Sequence, residues 1–137
     1  MSQGKPGRGA VRNMYLRLVE INNQDIAELV SDEVEINNVQ DALDIMAGAN
    51  NDGAGSIIIH EKNLSPQFFD LRTGLAGEVM QKFINYNVRL AIVGDFARFN
   101  SDSLKALMLE CNRGSQICFM PDVDSAMEKM AGATRDS

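Results

Sequence analysis

Apolar positions along this chain recur with two periods, and the switches between them mark its elements. Tyr15 to Ile21 and Asp25 to Val30 carry large and β-branched apolar residues on either side of Asn22-Asn23. Asparagine tolerates the positive φ of a tight hairpin turn, so the pattern predicts two strands joined as a hairpin. Asn37 or Asn38 then offers a helix cap ahead of Val39, Ala42, Leu43, Met46 and Ala47 at helical spacing. Ser56 to Ile59, Val88 to Val93 and Ile117 to Met120 are short continuous apolar runs, which is how strands covered on both faces read. Two further helical stripes follow the last two of these runs. Leu104, Leu107, Met108 and Cys111 lie behind a cap at Ser101, and Val123, Ala126, Met127 and Met130 lie behind one at Asp122.

Between the first two apolar runs, Phe68, Leu71, Leu75, Val79 and Phe83 recur at three- and four-residue steps, so one face of this stretch is buried. Pro66 after Ser65 suits the first turn of a short helix, and Asp70 or Thr73 suits the cap of a longer one. The predicted order is β β α β α β α β α. It implies an α/β fold whose mostly parallel central sheet is opened by an N-terminal hairpin, with about four helices packed on it through right-handed crossovers. The helix starting near Thr73 then begins at the carboxyl edge of the sheet, where open α/β sheets meet ligands and partners. Gly74, Ala76 and Gly77 lie in its first turn, although Gly is about 1 kcal/mol worse than Ala inside a helix. Small residues there imply either tight packing against a loop such as Asp95-Phe96 or an exposed docking face. Glu78 and Lys82 stand four apart in the favourable order for a solvated pair.

The length of 137 residues suits a single domain, expected over 14–131. Residues 1–13 (MSQGKPGRGAVRN) combine Gly, Pro and the basic Lys5, Arg8 and Arg12 with little apolar content, so a disordered tail is expected there, with a flexible one over 132–137. The net charge of −6 argues against sequence-independent nucleic-acid binding and against adhesion to anionic membranes. No apolar run is long enough for membrane insertion, and no signal-peptide pattern is present. Two cysteines, Cys111 on a predicted helix and Cys118 on a predicted strand, read as reduced thiols of a cytoplasmic protein.

Chemistry-bearing residues are sparse. The glycines of NNDGAG precede a strand, whereas a phosphate-cradling loop joins a strand to a helix. His60, the one histidine, stands at a strand end without a Cys or second His nearby, a poor metal site. Asp95 follows a strand as a phospho-accepting acid would, but the strand ending at Ile59 is followed by His60 and Glu61 without an aspartate. Asp95 is therefore expected to cap the next turn or to bind the loop from Asp70 to Thr73. Glu61, Asp70 and Asp95 offer oxygens to a divalent ion, yet no spacing enforces it. No nucleophile–base pair is visible, so an enzyme built on these acids is the least favoured reading, and no metal or cofactor is expected.

The segments EKNLSPQFFDLRTGLAGE, NVRLAIVGDF and MPDVDSAMEKM resemble a family of small bacterial proteins known only as a domain of unknown function. The resemblance covers most of Met14 to Met130 and implies no activity. More distantly, the element order and the Thr-Gly-Leu at the start of a helix are similar to the STAS domains of anti-sigma-factor antagonists. Those carry an Asp-Ser-Ser-Gly-Leu-Gly motif whose phosphorylatable serine caps a helix and faces a partner kinase. On that likeness Asp70 stands at the family's aspartate, Thr73 at its phospho-accepting serine and Gly74-Leu75 at its Gly-Leu. The chain departs in three places: one extra residue separates Asp70 from Thr73, Arg72 takes a serine position, and Ala76 is interposed before Gly77.

The resemblance implies a STAS-like, non-enzymatic regulatory or protein-interaction domain. It would dock another protein, or a second copy as a homodimer, through the elbow Asp70 to Gly77, with Asp70, Arg72, Thr73, Gly74, Gly77 and Glu78 as interaction or phospho-switch residues. The alternative is a small-molecule or lipid-binding domain with a pocket between that elbow and Asp95-Phe96, using His60, Glu61, Asp95 and Phe96. A flat apolar surface around Phe68, Phe69 and Leu75 would favour the first, and a concave pocket with convergent polar groups the second.

Overall fold

The structure, a computed structural model, describes residues 14–133; the disordered tail expected over 1–13 lies outside them. The chain forms β1 (Tyr15–Ile21), β2 (Gln24–Val30), α1 (Val39–Asn51), β3 (Ser56–His60), α2 (Leu75–Asn85), β4 (Arg89–Val93), α3 (Asp102–Arg113), β5 (Ile117–Met120) and α4 (Val123–Ala133). Short 3-10 turns occupy Glu61–Asn63, Pro66–Phe69, Leu71–Thr73 and Phe96–Arg98. Of the flexible tail expected over 132–137, residues 132 and 133 continue α4, and the rest lies outside the described residues.

The local signals act as their chemistry dictates. Asn22 and Asn23 take φ of 53° and 65°, the left-handed pair of a two-residue hairpin turn. Asn38 Oδ1 accepts the Asp41 N–H at 2.8 Å to start α1, and Ser101 Oγ accepts the Leu104 N–H at 3.1 Å to start α3. Asp122 Oδ1 accepts the Ser125 N–H at 2.7 Å at the start of α4.

The strands lie in sequential order, β1-β2-β3-β4-β5. The sheet is mixed, a correction to the mostly parallel one expected. A two-residue turn can only reverse the chain, so β1 runs antiparallel to β2 from Tyr15↔Val30 to Ile21↔Gln24, the longest ladder present, while the other three pairings are parallel. Each crossover advances one strand in the same direction, and with one crossover hand the three crossing helices land on one face. There Leu29, Ile57, Ile59, Leu90, Ile92 and Phe119 form the main core beneath α1, α2 and α3. The alternate residues Ile26, Ile58, Ala91, Val93 and Cys118 point the other way and meet Ala126, Met127 and Met130 of α4. α2 buries Leu75, Val79, Met80 and Phe83, so its apolar stripe needs no functional explanation.

One side chain ties the loop after β2 to the segment after β3. Asn63 is fully buried; its Nδ2 donates to the carbonyls of Ser31 at 2.9 Å and Glu33 at 2.8 Å. The Asn63 backbone carbonyl accepts the amides of Glu35 at 2.8 Å and Ile36 at 3.0 Å, and the Ser65 N–H donates to the Ile36 carbonyl at 2.9 Å. Removing the amide strands two carbonyls where water reaches poorly, each deficit being worth about 1–3 kcal/mol. Urea unfolding of Asn63→Ala should therefore give a stability roughly 2–3 kcal/mol below wild type with an unchanged m-value.

Candidate functional site

The carboxyl edge is assembled from turns and phenylalanines. Ser65 Oγ accepts the Gln67 N–H at 3.2 Å and Pro66 fixes the next φ, so this turn sends Phe68 and Phe69 inward. Phe69 stacks on Phe99 with ring centroids 4.9 Å apart, Phe68 meets Phe69 edge-on at 5.1 Å, and Phe96 meets Phe119 edge-on at 5.4 Å. Phe68, Phe69 and Leu75 are 0%, 9% and 8% exposed, so the flat apolar surface that would have favoured a protein partner is absent. Phe96 in the turn after β4 and Phe99 just past it supply the rings that meet Phe69.

Arg98 lies over the Phe99 ring, 4.5 Å from its centroid, and its guanidinium pairs with Glu61. Glu61 is largely buried beside Gly94. A Cβ at position 94 would stand 2.5 Å from Glu61 Oε1 and 2.6 Å from Glu61 Cβ, so the carboxylate side chain occupies the space that any residue other than glycine would fill.

The elbow is held by its own polar groups. Asp70 Oδ1 accepts the Arg72 N–H at 3.2 Å and Nε–H at 3.0 Å, and its Oδ2 accepts from Nη2 at 3.0 Å. The Arg72 side-chain bonds hold the exposed Asp70 carboxyl below the usual carboxylate range, and Asp70 in turn raises the guanidinium. The Thr73 hydroxyl has the carbonyls of Gln67 at 2.8 Å and Asp70 at 2.9 Å within donating distance, and it accepts the Leu75 N–H at 3.2 Å. Gly74 sits at φ 82°, a left-handed conformation that glycine adopts freely. Gly77 is exposed, and a Cβ there would meet nothing within 4 Å, so tight packing does not account for it. Glu78 is exposed in the first turn of α2, where a carboxylate suits the helix dipole.

Two clefts flank Phe69. One of about 460 Å³ is lined by Phe69, Asp70, Leu71, Arg72, Ser101 and Ser103. The other, of about 370 Å³, is lined by Val34, Glu61, Lys62, Leu64, Pro66, Phe69, Arg98 and Phe99. Asp95 and Phe96 are in the lining of neither cleft. Asp95 caps its turn by accepting the Ala97 N–H at 3.3 Å, and Phe96 is half-buried in the aromatic layer.

His60, expected beside Glu61, points to the opposite face. Successive strand residues alternate, and His60 shares the side of Ile58. Its Nε2 lies 2.7 Å from Glu28 Oε2, while Arg17 donates to Glu28 Oε1 from Nη2 at 2.7 Å and Nε at 3.1 Å. Sequence reading missed Glu28 and Arg17; the available signal was a carboxylate set between the apolar pairs Ile26-Ala27 and Leu29-Val30 of β2. Burial pushes the Glu28 carboxyl up, but the bonds from His60 and Arg17 outweigh it and hold the group below its ordinary value. Glu61, Asp70 and Asp95 are engaged separately, and among the described residues no group of three His, Cys, Asp or Glu is placed to hold a metal ion. Cys111 and Cys118 are free; burial raises the first thiol and pushes the second up to about 11, so neither is a thiolate at neutral pH.

The chain belongs to the family described as Domain of unknown function (DUF4180), whose model matches residues 21–130. No curated protein and no solved structure matches it. Among the described residues no helix is long and apolar enough to cross a membrane.

Two measurements check the local geometry. Thr73→Ala removes the acceptor for the Leu75 amide and should destabilise the protein by about 1 kcal/mol. Gly74→Ala forces a Cβ into the left-handed region at a similar cost of about 1 kcal/mol, both read by urea unfolding. The depressed Glu28 carboxyl contributes stability that is present above its unfolded value of about 4.3 and is lost as pH falls through its folded value. Glu28→Gln should therefore be less stable than wild type at neutral pH yet lose stability less steeply on acidification below about pH 4, as followed by unfolding across a pH series.

Proposed function

We propose that this member of the family acts as a STAS-like, non-enzymatic regulatory domain that docks another protein through the elbow Asp70 to Gly77 and the cleft beside it. The element order β β α β α β α β α, on which the resemblance to STAS domains rests, supports the fold half of this reading. The observation that carries the functional half is the preformed elbow. Arg72, its side chain 90% exposed, is held by the Asp70 fork next to the 460 Å³ cleft, so a partner meets groups that are already ordered. With the phenylalanines inside, recognition there is polar. Asp70 engages Nε and Nη2 of Arg72, which leaves Nη1 to donate to an acidic group on the partner.

Thr73 fits a switch on the same surface. A phosphate there would gain from the helix N-terminus and from Arg72 and be repelled by Asp70 and Glu78, and the hydroxyl would first have to leave the carbonyls of Gln67 and Asp70. The second reading, a small-molecule or lipid-binding domain, is favoured by one feature, the concave 370 Å³ cleft with Phe69 and Phe99 and the charged pair Glu61–Arg98 in its lining.

Affinity capture from cells of the source organism, with wild type and Arg72→Glu immobilised in parallel, tests the lead reading. At least one protein should be recovered by wild type and lost with Arg72→Glu, while the melting temperatures agree because Arg72 is exposed. The same proteins on both supports, or none on either, contradict docking at the elbow.

A further inference from the structure

The two edges of the sheet are finished differently. At β5 the side-chain amide of Asn112, from α3, lies along the outer edge: its Nδ2 donates to the Phe119 carbonyl at 3.1 Å and its Oδ1 accepts the Phe119 N–H at 2.7 Å. That amide occupies the backbone groups another strand would need. At β1 no described residue does this. β1 pairs with β2 one-to-one from Tyr15 to Ile21, without a bulge or a proline, two of the devices that blunt an edge; its charged residues are Arg17, paired with Glu28, and Glu20.

The register fixes which groups face outward. Bonded and non-bonded pairs alternate along an antiparallel ladder, and a two-residue turn closes on a bonded pair, here Ile21 with Gln24. Val19, Arg17 and Tyr15 then bond to β2, and the amides and carbonyls of Leu16, Leu18 and Glu20 point away from it. We infer that these groups pair with β1 of a second copy, antiparallel about a two-fold axis at Leu18, so that two sheets join into one.

This register follows from the strand itself. A two-fold axis perpendicular to the sheet keeps each face on its own side, so outward residues must bond to outward residues, and only centring on Leu18 uses all three in each copy. Leu18 and Tyr15, each 49% exposed, then gain apolar neighbours. Leu18 packs on Leu18 of the second copy, and the Tyr15 ring meets Ile21 of the second copy in an aromatic–β-branched pair. No like charges stand directly opposite, since Arg17 faces Val19 and Glu20 faces Leu16. The two Arg17 side chains are diagonal neighbours, and each is neutralised by its own Glu28 at 2.7 Å. No elbow residue takes part, so this pairing is independent of the docking proposed above.

Sedimentation of the full chain over a concentration series reads the assembly. Wild type should be dimeric, and Leu18→Pro, which deletes an outward N–H without touching the bonds to β2, should be monomeric with unchanged circular dichroism. A bonded pair places its Cα atoms about 5.5 Å apart, within the roughly 4.4–6.8 Å range of a disulfide. Leu18→Cys should therefore cross-link to dimer on mild oxidation, while Leu16→Cys and Glu20→Cys should stay at the wild-type background. This arm holds even if Leu18→Pro fails to fold. A wild type that is monomeric throughout, a folded Leu18→Pro that remains dimeric, or a Leu16→Cys that cross-links as well as Leu18→Cys overturns the inference.

Discussion

Each crossover in this fold steps one strand along the sheet in the same direction, and that restriction decides what every helix can cover. α1, α2 and α3 are forced onto one face, where the main core lies, and α4 is left to close the other alone. A single helix covers only part of a five-stranded face. The remainder, toward β1, carries the polar set Arg17, Glu28 and His60, which tolerates partial exposure where an aliphatic row would not. The same stepping leaves β1 and β5 as the outermost strands and brings the loops after β3 and β4 together at the carboxyl end.

That carboxyl end is stabilised from within. The phenylalanines of three segments form a continuous layer, and the Glu61–Arg98 pair is set against it, with glycine at 94 leaving room for the carboxylate. With Glu61 largely buried and Arg98 exposed, the pair adds little net stability by itself, because desolvation of the carboxylate and solvent screening offset much of its attraction, but it fixes how the two segments meet. Asn63 does the same for the loop after β2. The elbow therefore rests on a rigid floor, and its own capping and ion-pair contacts are short-range additions to it.

The order and nature of the elements were legible because each is encoded within a few residues. Asn22-Asn23, Asn38, Ser101 and Asp122 act at the turns and caps where their side chains suggest. Asp95 capping its own turn was legible for the same reason. Contacts between distant segments were not. The Glu28–His60 pair spans 32 positions and depends on strand register, and Phe69 packs on Phe96 and Phe99, which the segment after β4 supplies. His60 and Glu61 are adjacent in sequence, yet His60 ends β3 and bonds Glu28 while Glu61 opens the turn that follows and pairs with Arg98. Glycine at 94 carries no local signal for its reason, which is the side chain of Glu61 across the edge.

Docking at the elbow requires that the elbow be built before any partner arrives. Amide hydrogen exchange of the isolated protein measures this directly, since the amides of Phe68, Asp70, Thr73 and Gly74 each donate within the turns from Ser65 to Gly74. The predicted result is protection of these amides approaching that of α2. Exchange at the rate of an unstructured peptide across Asp70 to Gly74, with α2 and the sheet still protected, would contradict it.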